Sequence, residues 1–150
     1  MSLKKTKEGE YIEWTAVFDL NGNGNFIGVA KDGIWYADTA EGLKLVNGPG
    51  IAGVLPILEN TKEEFLAFLT EKLGKVNIGD VNSFPIIQVI HFSLSVSSYW
   101  AELGIEWLDE KDINDGLAMM LNKKIYNKEF SQKFRQKAFK KIKRWKQLNG

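Results

Sequence analysis

The side chains able to bind or react are few and scattered along the chain. "DLNGNGNFIG", Asp19 to Gly28, sets oxygens at Asp19, Asn21 and Asn23 and a glycine at Gly24. These match positions 1, 3, 5 and 6 of a calcium loop, which also needs a bidentate Glu at position 12. Position 12 is Ala30, and the flanks alternate like strands. The stretch therefore reads as a hairpin loop whose Asn and Gly residues accept left-handed backbone, its amides exposed to a partner. No metal site and no cofactor are expected.

Three further groups invite a chemical role. Gly48-Pro-Gly-Ile-Ala-Gly53 spells G-x-G-x-x-G after a strand-like segment. In a dinucleotide fold it would open a helix facing the pyrophosphate. Pro56 follows within three residues and the neighbouring strands look antiparallel, so a loop is expected. His91 is the sole histidine and lies among apolar residues. As a general base it would need a nucleophile or an orienting carboxylate, and no nucleophile motif surrounds Ser93, Ser95, Ser97 and Ser98. Its default place is the core or a helix side. No catalytic residue is assigned.

Glu102, Glu106 and Asp109 fall at i, i+4 and i+7, so they share one helix face opposite Trp100, Leu103 and Trp107. Paired carboxylates can move protons or hold a hard metal. Without an adjoining Glu-x-x-His they form instead a candidate surface for a basic protein partner. The final helix, "SQKFRQKAFKKIKRWKQL", supplies the opposite charge. Its Lys137, Lys140, Lys141 and Arg144 are candidate nucleic-acid contacts, and Trp145 could stack on a base. Against this stands a structural role. Phe134, Ala138, Ile142, Trp145 and Leu148 make a stripe built for burial, with the lysines left in water.

Composition narrows the field. At 150 residues, 44% hydrophobic and 26% charged, the chain is expected to fold as one domain, 1–150, with 1–10 a flexible tail. No cysteine means no disulfide and no thiol chemistry. No apolar run reaches membrane-spanning length and no leader is visible in Met1 to Glu10, so a cytoplasmic location without membrane contact is expected. Net charge is +1, but residues 131–150 carry 8 Lys+Arg and no acid, while 1–130 carry 12 Lys+Arg against 19 Asp+Glu.

The elements that must position these groups change character midway. In Tyr11 to Leu20, Ile12, Trp14, Ala16, Phe18 and Leu20 alternate with Tyr11, Glu13, Thr15, Val17 and Asp19, as in a half-buried strand. Strands over "NFIGVA", "IWYAD" and "LKLV" follow, with Asp32-Gly33 as a hairpin turn. Val54 to Leu58 is expected as an edge strand because Pro56 cannot donate to a central ladder. Thr61 to Glu64 is a capping box for a helix that Gly74 should stop, followed by a loop from Lys75 to Phe84. Helical period then dominates. "IIQVIHFSLSV" is assigned to helix, with a break at Ser97-Ser98, a cap at Asp112, and another at Asn127 or Ser131. The whole predicts an α+β fold: an N-terminal antiparallel β-meander of four or five strands, then four or five helices.

"SSYWAELGIEWLDE" with "SQKFRQKAFKKIKR" resembles the C-terminal pattern of small bacterial α+β proteins, some similar to immunity proteins that block a cognate toxin. The likeness covers the last third of the chain, and Gln136 stands where the pattern prefers histidine. It implies a non-enzymatic protein-binding module, an immunity-type inhibitor whose acidic body steers toward a basic partner. Nucleic-acid binding by the basic helix is the alternative, and a hydrolase using His91 or the carboxylate face is the second alternative.

Overall fold

Alternation in the first half and helical period in the second are both realised in the computed structural model, which describes residues 2–149. Five strands form an antiparallel meander in the order β1 (Ser2–Lys5), β2 (Tyr11–Asp19), β3 (Phe26–Ala30), β4 (Trp35–Thr39) and β5 (Gly42–Leu45). Among the described residues six helices follow: α1 (Ile51–Val54), α2 (Lys62–Val76), α3 (Ile86–Val96), α4 (Ser98–Trp107), α5 (Asp115–Ile125) and α6 (Gln132–Asn149). The fold is α+β with an N-terminal meander, as the sequence predicts. The chain, expected as one domain, divides into two compact units, 1–89 and 90–150.

The sheet of the first unit curls. Between β2 and β3, Ala16 pairs with Gly28 and Phe18 with Ile27, so Val17 is an extra residue in the ladder. Such a bulge bends its strand and reverses the side-chain phase beyond it. Hence Ala16 is exposed and Val17 buried, where strict alternation had expected the opposite. The curl brings the chain just beyond β1 against β5. Thr6 bridges Leu43, and the Lys7 N–H donates to the Leu43 carbonyl at 2.9 Å. Gly42 lies at this seam with φ +112°, and a Cβ there would come 2.9 Å from the Lys5 carbonyl oxygen. The segment expected as a tail is therefore paired from residue 2, Ser2 lying opposite Trp14. Backbone pairing needs no apolar side chain, which is why Ser-Leu-Lys-Lys gave no strand signal.

One face of the sheet is covered by α2. Phe18 meets Phe65 edge-on with ring centres 5.1 Å apart, Phe65 meets Phe84 at 5.3 Å, and Phe84 meets Trp35 at 5.1 Å. The Trp35 Nε1–H donates to Ser83 Oγ at 2.8 Å, so the indole is buried without losing its hydrogen bond. Thr61 caps α2 as expected, its hydroxyl accepting from the Glu64 N–H.

Four boundaries differ from the sequence expectation. Val54 to Leu58 is helical, not an edge strand: it ends α1 and enters a 3-10 turn over Leu55–Glu59, with Pro56 in the first turn where no N–H is needed. Gly74 does not stop α2, which runs on to Val76 and ends at Asn77 in the left-handed region, its N–H donating to the Leu73 carbonyl. The loop before α3 holds a 3-10 turn, Val81–Ser83, capped by Asp80. Asn114, not Asp112, caps α5 by accepting from the Leu117 N–H at 2.8 Å; Asp112 closes a 3-10 turn over Glu110–Asp112.

In the second unit, Ser97 caps α4 and Ser131 precedes α6, as expected. Close packing is sharpest where the end of α3 crosses α4. Ser93 is fully buried, its hydroxyl donating to the Ile90 carbonyl at 2.6 Å, and a Cβ on Gly104 would lie 1.9 Å from Ser93 Oγ.

Two outcomes test this architecture. Gly42→Ala should lower unfolding stability by about 1–3 kcal/mol in a urea titration, since it adds a seam clash to a strained φ. Gly33→Ala, at φ +88° with open space around it, should cost only about 1–2 kcal/mol. Separately, burial, then the negative charges of Asp32, Glu10 and Glu8, raise the Tyr36 hydroxyl above its usual 10.0. The folded chain holds that proton more tightly than the unfolded chain. The associated stability is complete below pH 10 and is lost as pH rises from there through the raised value. Phenolate absorbance should show a late-titrating tyrosine that is absent in Tyr36→Phe.

Candidate functional site

The Asp19–Asn25 loop turns its oxygens on itself. The Asp19 carboxylate accepts from the Gly24 N–H at 3.1 and 3.3 Å and from the Asn21 N–H at 3.4 Å, while Asn21 Oδ1 accepts from the Asn23 N–H at 3.1 Å. These bonds describe a hairpin turn, as expected. Among the described residues, no three His, Asp or Glu side chains cluster in a way that could hold a metal.

The G-x-G-x-x-G stretch does open a helix, contrary to the expected loop, but α1 is a single turn following antiparallel strands. Its glycine has a local cause. The Gly50 N–H donates to the Leu45 carbonyl at 2.8 Å, and a Cβ at Gly50 would come 2.8 Å from that same oxygen.

His91 stands on α3 with Nε2 shielded from solvent and without a hydrogen-bond partner among the described residues. The serines near it in sequence serve the backbone: Ser93 and Ser95 donate to carbonyls one turn back, and Ser97 caps α4. No nucleophile–base pair is formed by these groups.

The acidic face of α4 and the basic face of α6, read separately in the sequence, meet. Glu102 accepts from both the N–H and the hydroxyl of Ser131, at 3.0 and 2.8 Å. Ser131 Oγ in turn accepts from the Phe134 N–H at 3.0 Å. The first turn of α6 thus receives its missing acceptors from a relay begun on another helix. One turn along α4, Glu106 pairs with Lys137. Beyond α4, Lys141 donates to the Leu108 carbonyl, and Arg144 Nε lies 3.9 Å from Glu110. Glu102 and Glu106, expected to meet a partner, also hold α6 in place. Asp109 lies at the start of the following 3-10 turn, its carbonyl accepting from the Asp112 N–H.

This docking sorts seven of the eight cations of α6 into two sets, Arg135 standing apart. Phe134, Ala138 and Ile142 are buried beneath the helix. Lys137, Lys141 and Arg144 are engaged along the flank. Lys133, Lys140, Lys143 and Lys146 stand exposed, and no ion pair joins them to any described residue. Of the four lysine and arginine positions assigned to nucleic acid from sequence, Lys140 alone belongs to this free set.

Grooves run along both sides of the crest. One, of about 480 Å³, holds Glu106, Glu110, Lys137 and Arg144. The other, of about 580 Å³, holds Ile125, Arg135, Gln136 and Phe139. Lys140 and Lys143 line both. The buried stripe ends sooner than expected: Trp145 is half-buried and Leu148 is 72% exposed. The exposed aromatic of α6 is Phe139, at 52%, which sequence reasoning passed over. The signal was present, because Phe139 falls one residue off the Phe134–Ala138–Ile142 period.

Comparison with known proteins found no matching family model, no matching curated protein and no matching solved structure.

Glu102→Ala should lower stability by about 1–2 kcal/mol, the cost of losing a helix cap. Amide exchange should rise first in residues 131–135, which separates a cap from a general packing contact.

Proposed function

We propose that the chain is a nucleic-acid-binding module that meets phosphates with the outward face of α6. The observation that carries this reading is the charge sorting on that helix. Four lysines are exposed without acidic partners, while Lys137, Lys141 and Arg144 are engaged by the rest of the second unit. From Lys133 to Lys146 the helix rises about 20 Å, enough to follow several phosphates of one strand. An anionic bilayer fits this surface less well. The apolar stripe that an interfacial helix would insert is buried under α6. Among the described residues no helix is long and apolar enough to cross a membrane.

A second reading follows from the charge of the first unit, where 8 Lys face 12 Asp+Glu. That surplus suits a basic protein partner and keeps the immunity-type inhibitor in view. Contact with Glu102 or Glu106 would compete with Ser131 and Lys137, which already engage them.

The test is the salt dependence of binding to a labelled duplex or single-stranded oligonucleotide. Four phosphate contacts predict a slope of log K against log salt of about −3 to −4. Lys140→Gln with Lys143→Gln should flatten it by about 1.5 without loss of fold. An unchanged slope in that double variant would place the phosphates elsewhere. No oligonucleotide binding at low salt would favour the protein-recognition reading.

A further inference from the structure

We infer that the groove on the Phe139 side of α6 seats single-stranded nucleic acid, with a base stacked on Phe139 and Arg135 donating a hydrogen bond to it or to the adjoining phosphate. The inference rests on the nucleic-acid reading above and specifies its substrate. Arg135, Phe139 and Lys143 follow one another at i, i+4 and i+8, so they form a row of cation, aromatic and cation on one side of the helix. Phe139 is 52% exposed in a groove of about 580 Å³, a volume suited to a small planar ligand. Its outward place has no packing cause, because the buried stripe of α6 runs through Phe134, Ala138 and Ile142.

Arg135 adds an independent observation. Its Nε is shut off from solvent and has no hydrogen-bond partner, yet the side chain lines the same groove. Its guanidinium carries further N–H donors in a planar fork, from which a base edge or phosphate in the groove can accept. Nucleic acid supplies such acceptors on bases and phosphates. Charge complementarity selects an anionic strand, since Arg135, Lys140 and Lys143 line the groove and no acidic residue does. A duplex keeps its base faces stacked inside, so an exposed ring on a helix side reaches a base only in a single strand.

The test uses the whole chain and two labelled probes, a 12-nucleotide oligo-dT and a 12-base-pair duplex, read by fluorescence anisotropy. Circular dichroism checks that each variant is folded. Phe139→Ala should weaken oligo-dT binding about 5- to 100-fold and leave duplex binding unchanged, while Phe139→Trp should retain it. Arg135→Gln should weaken oligo-dT binding in the same direction. If Phe139→Ala binds oligo-dT like the parent while Lys140→Gln with Lys143→Gln weakens both probes, the stacking seat is overturned and the phosphate surface stands. If neither probe binds the parent chain at low salt, both fall. Poly-glutamate competing as well as oligo-dT would also overturn the inference, making the occupant an acidic protein segment.

Discussion

A backbone N–H removed from water must find an acceptor, and in both units this requirement decides where the polar residues go. In the first unit, Lys7 reaches across to the Leu43 carbonyl and closes the curled sheet. The Asp19 carboxylate fills the exposed turn between β2 and β3 by accepting from the Gly24 N–H. In the second unit, the free N–H groups at the start of α6 draw in Ser131 and, behind it, Glu102. Residues that could have been chemical are engaged by the chain's own backbone.

That engagement shapes the surface left over. Burial of Phe134, Ala138 and Ile142 sets the rotation of α6, and with Lys137 and Arg144 beside acid, Lys133, Lys140, Lys143 and Lys146 are left exposed. Of the eight cations of this helix, Lys137, Lys141 and Arg144 are engaged, Lys133, Lys140, Lys143 and Lys146 are free of acid, and Arg135 lines the groove beside Phe139. A diffuse positive charge attracts any anion weakly, whereas a row of cations on one rigid helix follows a polyanion. The exposed Phe139 beside that crest gives the surface a planar apolar element that pure charge lacks.

Much of the fold was legible because the relevant signals are local. Alternation in Tyr11 to Leu20, the Asp32-Gly33 turn, the Thr61 cap and the Ser97 cap depend on residues within a few positions of one another. The misses have a common cause. Ser2–Lys5 pairs by backbone alone, Val17 bulges because the partner strand is one residue shorter there, and Val54 to Leu58 coils instead of extending. None of these is written in the pattern of the segment itself. The candidate site divides the same way. The basic helix was visible from charge, but Phe139 and Arg135 gained meaning only when the groove around them was formed.

By itself the sequence determined the class of fold, the strand-then-helix order, the absence of thiol chemistry, and the concentration of positive charge in the last twenty residues. Those properties depend on composition and short-range periodicity, which the unfolded chain already carries. The tertiary structure alone decided which charges cancel. Glu106 and Lys137 are 31 residues apart and Glu102 and Ser131 are 29 apart. Electrostatic pairing acts over a few ångströms, so a charge pattern becomes a surface only after packing has brought distant segments within reach.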